Sequence, residues 1–265
     1  MKLKLNVLAV AVAASLAFPM AAQADLKISG DIGLAYDSEA EAFGHEGSEV
    51  NLDATSQTGS VTYMGHAEVE LAREDGSDVK IDEIRVGAKG GFGEVWLGDV
   101  DNACDQFDPS PYDEFLSQES SSCRGNDAYN LVYKNKINNV EFAVSHNPNE
   151  EESAIGMRAG LGPVKVNLGY EKLDDDKYKD DDIVSYGIKA GFNNFEVNAE
   201  GNDDDEWGFS AKYAINNNTI WAGTSDEKDV VVGYHYDHGN MKYVIEHYAP
   251  DEGDKITKAG VVYSF

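Results

Sequence analysis

The sequence predicts an all-β protein, a transmembrane antiparallel up-and-down β-barrel of about sixteen strands. Three observations support this fold class. Apolar and polar residues alternate with a period of two almost from residue 25 to the end. Short turns and acid-rich loops succeed one another between the alternating segments. After residue 24, no apolar stretch is long enough for a membrane-spanning helix, and a closed barrel is the other structure that satisfies the backbone in lipid.

The first 24 residues have the composition of a cleaved secretory signal peptide. Two lysines precede an apolar segment at 7–18, and Ala22-Gln23-Ala24 matches an A-x-A cleavage site. The apolar segment is shorter than the roughly 20 residues that a transmembrane helix needs. We therefore expect residues 25–265 to form the exported protein as a single β-barrel domain.

The first predicted strand shows the alternation well. Leu26, Ile28 and Ile32 fall on one face, whereas Lys27 and Asp31 fall on the other. The same rule places the strands at approximately 25–36, 48–55, 60–71, 79–89, 94–99, 127–135, 140–146, 153–160, 164–173, 183–190, 195–200, 207–214, 219–225, 230–236, 241–248 and 255–265. An even strand count and segments of roughly ten residues are typical of bacterial outer-membrane barrels.

The connections alternate between two chemical types. Half are short and use Gly and Asn, which tolerate the positive φ of tight hairpins; they include 90–93, 160–163, 191–194, 216–218 and 237–240. The others are acidic and include 150–152, 174–182, 203–206, 226–227 and 251–252. Because consecutive strands run in opposite directions, the acidic loops collect at one rim, as the outer loops of a membrane barrel do.

Aromatic residues recur on the apolar face, many of them close to strand ends: Tyr36, Tyr63, Tyr133, Tyr170, Tyr186, Trp207, Tyr213, Tyr243 and Tyr263. Such rings fit the aromatic girdles at the two lipid interfaces of a barrel. Core aromatics of a soluble β-sandwich are the alternative interpretation. The last residue, Phe265, lies in the same lipid-facing register.

Charge and composition limit the possible partners. The formal net charge is −28, and removal of the two signal-peptide lysines makes it −30. Nucleic acid is not expected as a partner, because its binding depends on Lys and Arg that neutralise phosphates. The 14 Tyr, 10 Phe and 26 Gly, with their regular apolar alternation, do not fit a disordered acidic chain.

Two stretches carry a family resemblance. The segment 83–98 resembles the strand, Phe-Gly turn and strand that precede the constriction loop of the general trimeric porins of Gram-negative bacteria, and 124–134 resembles the strand that follows that loop. The C-terminal Phe265 is similar to the family's assembly signal. The resemblance implies a homotrimer in the outer membrane, in contact with its lipid and lipopolysaccharide. It also implies passive diffusion of small hydrophilic solutes and ions, with a constriction loop at about 100–125 folded into the pore.

The proposed loop is strongly acidic. It contains Asp101, Asp105, Asp108, Asp113, Glu114 and Glu119, with no basic residue before Arg124. The family sets arginines opposite such acids, but this chain has Glu49 where Ser-Arg is common and Asp99 where Leu-Gly-Arg is common. The inward positive charges that we predict are Arg85, Lys134 and Arg158. We therefore expect a preference for cations, because a ring of acids in the lumen lowers the energy of a passing cation.

Both cysteines, Cys104 and Cys123, lie in this loop. The oxidising compartment makes a disulfide plausible, with a stabilisation of roughly 3 kcal/mol in the entropy model. Two unpaired thiols are the alternative. Zinc is not expected at these cysteines, because neighbouring ligands at short spacing are absent from the sequence.

The acidic loops also allow weak binding of Ca²⁺ or Mg²⁺, for which Asp203, Asp204 and Asp205 are the candidate ligands. A solvated acidic rim is the alternative, since no loop has EF-hand spacing. No enzyme activity and no tightly bound cofactor are expected. Ser145 and His146 are adjacent in a strand and so point to opposite faces, which is poor geometry for a nucleophile and its base.

Two other functions remain open at the level of sequence. One is a substrate-specific outer-membrane channel for a cationic solute. The other is an acidic, calcium-binding β-protein of the cell surface. A non-specific, cation-selective diffusion channel is the function that the sequence favours.

Overall fold

The protein is described here by a computed structural model that covers residues 25–45, 47–72, 79–107, 123, 130–173, 182–226 and 229–265. The predicted signal peptide lies outside these residues. Within them, no helix has the length and apolar character required to cross a membrane.

The described chain is a single antiparallel sheet of seventeen β-segments with one short 3-10 helix. The segments are β1 (Asp25–Asp37), β2 (Ala42–His45), β3 (Ser48–Thr58), β4 (Val61–Ala72), β5 (Lys80–Gly90), β6 (Gly93–Gly98), β7 (Asn130–Ile137), β8 (Val140–Asn147), β9 (Glu152–Leu161), β10 (Val164–Lys172), β11 (Asp182–Phe192), β12 (Phe195–Asn202), β13 (Trp207–Ile215), β14 (Asn218–Ser225), β15 (Val230–His238), β16 (Met241–Ala249) and β17 (Ile256–Ser264). The 3-10 helix is Asp105–Phe107. All sixteen predicted strands are present, and their bounds agree within three residues.

The segments β2 and β3 are two parts of one strand. β1 pairs with both, through Leu34↔His45 in β2 and Asp31↔Glu49 in β3, and the register shifts by one residue between these pairs. An extra residue on one strand of an antiparallel pair is a β-bulge. The sheet is therefore a barrel of sixteen strands, as predicted, and β2 is the part of it that the alternation did not reveal.

The barrel closes between its first and last strands. β17 pairs with β1 over seven residue pairs, among them Ile32↔Tyr263. Beyond this ladder, Gly30 and Phe265 exchange two backbone hydrogen bonds of 3.2 and 3.0 Å. Closure leaves no unpaired edge that could add a further strand, which is the usual hazard of a long sheet.

The two rims differ as the sequence predicts. At one rim, each of the seven hairpin turns contains two residues, for example between β3 and β4 and between β9 and β10. A residue with positive φ lies in each of the five turns identified from the sequence: Gly93, Gly162, Asn193, Asn216 and Gly239. The longer, acidic connections lie at the opposite rim, because every second connection returns there.

The distribution of polarity is the reverse of that in a soluble protein. Outward-facing Val184 is 43% exposed, whereas the inward-facing Glu171 and Glu246 are 1% and 0% exposed. Large apolar residues are exposed on the outer face of β1, β2 and every strand from β4 to β17, and a soluble β-sandwich would bury them. This outer surface is suited to hydrocarbon, because lipid solvates apolar side chains and the barrel satisfies its own backbone.

Aromatic residues border the apolar outer surface on two levels. The level beside the short turns includes Tyr63, Phe92, Phe192, Phe195, Tyr213, Tyr236, Tyr243 and Tyr263, all exposed. The level beside the loops includes Tyr36, Phe43, Tyr170, Tyr186 and Trp207, also exposed. Aliphatic residues such as Ile84, Ile155 and Ile188 lie between the two levels. Two aromatic girdles around an aliphatic band are typical of a transmembrane β-barrel.

Candidate pore constriction

The chain that follows β6 turns into the barrel. The amide of Ala103 donates a 2.8 Å hydrogen bond to Ser145 Oγ on the inner face of β8. Asn130 Nδ2, at the start of β7, donates a 2.9 Å bond to the carbonyl of Val100. The residues from Val100 to Phe107, which are the first part of the loop that we predict to enter the pore, therefore lie against the inner wall. We call this segment the loop anchor.

The loop anchor packs on an apolar part of the wall. Val100, Ala103, Cys104 and Phe107 form a buried cluster with Cys123 and with the inner face of β7 to β9, which contributes Val132, Ala143 and Ala154. Two inward-facing glycines allow this close approach. A Cβ at Gly156 would lie 1.9 Å from Ala103 O, and a Cβ at Gly169 would lie 2.5 Å from Cys104 Sγ. A side chain at either position would displace the loop anchor.

The predicted disulfide is confirmed. Cys104 and Cys123 are bonded, and their Cα atoms are 5.9 Å apart. The Ser185 hydroxyl on β11 lies 2.9 Å from Cys104 Sγ and 3.6 Å from Cys123 Sγ. The bond therefore holds two distant positions of the loop against the same strand of the wall.

Two of the predicted inward bases contact the loop anchor. Arg158 on β9 donates a 3.0 Å hydrogen bond to Phe107 O and stacks on the Phe107 ring at 5.2 Å. Lys134 on β7 donates a hydrogen bond to Gln106 Oε1. Both side chains face the lumen, and both take part in holding the loop.

The predicted loop acids occupy different positions. Asp101 is exposed at the start of the loop anchor, and Asp105 accepts a hydrogen bond from Asn102 Nδ2. Asp99 instead accepts a 2.9 Å hydrogen bond from the backbone amide of Ile84, at the end of the β5–β6 ladder. Asp108, Asp113, Glu114, Glu119 and Arg124 lie outside the described residues.

A second group of acids lines the barrel wall on β3, β4 and β5. We call it the acidic wall, and its members are Glu49, Asp53, Glu68, Glu70 and Glu83. They alternate with the outward-facing apolar residues of these strands, which places them on the lumen side. β3 and β4 together contain four acids and no lysine or arginine.

The acidic wall brings like charges together. Glu49 is paired across the strands with Glu70, and Glu68 with Glu83. Like charges directly opposite one another destabilise a sheet. The third predicted base, Arg85, relieves part of this repulsion, because its Nη1 lies 2.7 Å from Glu83 Oε2 while its guanidinium lies over the Trp96 ring at 5.8 Å.

The acidic wall and the loop anchor lie on neighbouring sectors of the barrel. The acidic wall ends on β5, the loop anchor packs on β7 to β9, and β6 lies between them. Of the wall residues, sequence reasoning singled out Glu49 alone and missed Asp53, Glu68, Glu70 and Glu83. The alternation of apolar and polar residues in the sequence already places these four acids on the polar face of β3 to β5, and this pattern could have identified them.

The lumen is less acidic near the short turns. There, Lys136 lies 2.7 Å from Glu141. Lys189 and Lys212 lie 3.0 and 3.2 Å from Glu196. Bases and acids therefore neutralise one another at this end, so the excess of negative charge on the described wall lies toward the loop end.

Two groups of at least three side chains that could bind a metal converge among the described residues. They are Cys104, Cys123 and Glu171, and His66, Glu68 and Glu83. The first contains the disulfide, whose sulfurs are already bonded to one another.

The candidate calcium ligands Asp203 to Asp205 do not form such a group in the described part of the chain. Asp203 accepts a 2.8 Å hydrogen bond from the amide of Val184. Ser145 faces inward to Ala103, whereas His146 lies on the outer face beside Ser153, so the adjacent pair does not form a nucleophile and its base.

Comparison with known proteins agrees with this architecture. The family model of the Gram-negative porins matches residues 9–265. A mutant of Rhodobacter blastica porin is 16% identical, covers 92% of this chain and 100% of its own, and has a TM-score of 0.72. A loop-deletion mutant of OmpT, an outer membrane protein of Vibrio cholerae, is 12% identical over 91% of this chain and 99% of its own, also with a TM-score of 0.72. A comparison with curated proteins found no match.

The two structural likenesses show the fold, and the family model covers nearly the whole chain. The barrel, the loop anchor on its inner wall and the aromatic girdles on its outer face are features that the family leads us to expect. The chain belongs to the Gram-negative porin family.

Proposed function

We propose that this porin is a water-filled channel for the passive diffusion of small hydrophilic solutes and that it prefers cations. The family and the fold support a channel in the outer membrane. The observation that carries the preference for cations is the acidic wall on β3 to β5, which includes Glu49, at a position where the resemblance predicts arginine. Acids along a pore stabilise a passing cation and repel an anion.

The position of the charge supports the same proposal. Asp101 of the loop anchor is exposed, and the acidic wall occupies another sector of the same lumen. An ion in the lumen meets negative charge from the loop anchor as well as from the wall. Because the Debye length is about 8 Å at physiological salt, both sets of fixed charge act on an ion that passes within that distance of them.

The first test measures conductance and selectivity of the wild-type protein. Purified, folded protein in a planar bilayer is expected to give discrete, ohmic current steps. In a KCl gradient, the reversal potential is expected to have the sign of K⁺ permeation. The absence of steps would disprove the channel, and a reversal potential of the opposite sign would disprove the preference for cations.

We also propose that the exported protein begins at residue 25 and assembles as a trimer, as the family leads us to expect. The N-terminal residue of protein isolated from outer membranes should then be Asp25. The native complex in mild detergent should have three times the protein mass of the heat-denatured chain. A complex with one protein mass would contradict trimer formation. Weak Ca²⁺ or Mg²⁺ binding at the outer loops stays a prediction.

A further inference from the structure

One histidine of the lumen has the environment of a metal ligand. His66 lies on the inner face of β4, and its side chain is 10% exposed. Its Nδ1 lies 2.8 Å from Asp53 Oδ1 on the neighbouring strand β3. Its Nε2 is buried and has no hydrogen-bond partner. A buried ring nitrogen without a partner costs free energy, so the second face of this imidazole requires an explanation.

Two carboxylates of the acidic wall converge on this nitrogen. His66, Glu68 and Glu83 each offer one ligand atom, and these atoms all lie within 4.8 Å of one another. Glu68 and Glu83 are directly opposite in the β4–β5 ladder, and a register shift lies between Glu68 and Val69. Such irregularities commonly re-aim a side chain beside a functional site. A cation between the two carboxylates would remove their mutual repulsion.

We propose that His66, Glu68 and Glu83 bind a divalent transition-metal ion such as Zn²⁺ in the wall of the lumen. One imidazole nitrogen and two carboxylate oxygens are three protein ligands, and water fills the remaining positions of an open site. The imidazole distinguishes the site from one for Ca²⁺ or Mg²⁺, which take oxygen ligands.

The surroundings of the three ligands support this assignment. A metal-bound histidine nearly always donates its other ring N–H to a carboxylate or carbonyl, which fixes the tautomer and the ring orientation. Asp53 is the carboxylate in this position, because its Oδ1 lies 2.8 Å from Nδ1 of His66. Ligating carboxylates are in turn hydrogen-bonded, and Arg85 Nη1 lies 2.7 Å from Glu83 Oε2.

A protonated His66 paired with both carboxylates would be a purely structural arrangement. The distance from His66 Nε2 to Glu83 Oε2 is 3.5 Å, and no hydrogen bond is made there. A charged N–H···O⁻ pair is normally shorter, about 2.7–2.9 Å. The imidazole is thus hydrogen-bonded through Nδ1, while Nε2 points toward the carboxylates without a hydrogen bond. This is the geometry expected of a metal ligand.

The primary test is equilibrium binding of Zn²⁺ to the folded protein in detergent, measured by titration calorimetry. The wild type is expected to bind one Zn²⁺ per chain at this site, with Mg²⁺ failing to compete at equal concentration. His66→Gln should weaken binding by at least tenfold. Asp53→Asn should also weaken it by roughly tenfold or more, since loss of an outer-shell partner typically costs 10–100-fold in metal affinity.

The matched control is His247→Gln. His247 is exposed on the outer face of β16, and its Nδ1 also has a side-chain partner, Thr257 Oγ1 at 2.9 Å. This control should bind Zn²⁺ as the wild type does. Heat-modifiable gel migration verifies that each variant has folded. Wild type without saturable Zn²⁺ binding, or His66→Gln with unchanged affinity in the folded state, would overturn the proposal.

Channel recordings supply an independent readout, which rests on the proposed function. Bound Zn²⁺ places two positive charges on the acidic wall, so it should lower the K⁺ current and the cation preference of the wild type. His66→Gln should need at least tenfold more Zn²⁺ for half of this effect. Because calorimetry requires only a folded barrel, a protein that binds Zn²⁺ without conducting would refute the proposed channel and retain the metal site.

Discussion

Replacement of Glu49 and Glu70 with lysine is expected to abolish the preference for cations and to shift the channel toward anions. The two residues are paired across β3 and β4, and neither belongs to the proposed metal ligands. The new lysines would face one another as the glutamates do, but they would also lie among the remaining acids of the wall, so the substitutions lower its excess of negative charge. We therefore expect the variant to fold.

The size of the effect follows from Coulomb's law. A unit charge about 7 Å from a permeating ion contributes roughly 0.6 kcal/mol in water. Two inversions change four units of charge, and screening over a Debye length of about 8 Å leaves on the order of 1 kcal/mol. This free energy opposes K⁺ and favours Cl⁻, so the ratio of their permeabilities should change by roughly tenfold or more.

Reversal potentials in a KCl gradient measure this ratio. The matched control is the double variant Glu252→Lys with Asp254→Lys. It changes the net charge of the protein by the same amount, but in the exposed loop between β16 and β17. The control should keep most of the wild-type selectivity. If both double variants change the ratio by the same factor, total charge rather than the acidic wall determines the selectivity.

A single methyl group at Gly156 is expected to dislodge the loop anchor. The Cβ of Gly156→Ala would lie 1.9 Å from Ala103 O and 2.9 Å from Phe107 Cδ2, distances at which something must shift. Excess volume in a well-packed site typically costs about 1–3 kcal/mol. The loop anchor should move from the wall toward the pore axis, so we expect both a less stable barrel and a lower single-channel conductance.

The same strand provides the control. Gly160 also faces inward on β9, and a Cβ there would have only Asn139 O nearby, at 3.9 Å. Gly160→Ala should leave the conductance unchanged and stabilise the protein by about 0.4–1 kcal/mol, because alanine restricts the unfolded chain. Unfolding in denaturant, followed by gel migration, measures the stability. Equal stability and conductance of the two variants would show that the loop anchor does not depend on Gly156.

The two predictions concern separate parts of the constriction. The acidic wall sets the charge of one sector of the lumen, and the loop anchor sets how far the neighbouring sector extends into it. Since Gly156 lies on β9 and Glu49 on β3, which are not neighbours in the sheet, we expect the effects of their substitutions to add.

Much of the fold follows from local pattern. Side chains alternate between faces whenever a strand forms, so Leu26 and Lys27 are assigned to lipid and lumen without knowledge of any partner strand. Turn residues with positive φ, such as Asn193 and Asn216, mark the hairpins in the same local way. The sixteen strands and the alternation of turns and loops were therefore predictable.

The candidate site was less predictable, because it depends on which side chains from different strands meet. The Cys104–Cys123 bond was predicted and is present, and the loop anchor, which is the first part of the predicted loop, lies against the inner wall. Asp99 illustrates the limit, since its carboxylate caps the backbone of Ile84 at a strand end instead of joining the loop acids. A residue's side on a strand is local information, whereas its neighbours depend on register.

The sequence alone determined the class of the protein, the number of its strands, the face of each side chain and the rim at which the acids collect. Only the tertiary structure revealed the bulge between β2 and β3 and the close approach of Ala103 to Gly156. It also revealed that the side chains of His66, Glu68 and Glu83 converge. The physical reason is that a period of two is a property of each strand by itself. The stagger between strands, with its irregularities, is set by closure of the whole barrel and decides which inward side chains come into contact.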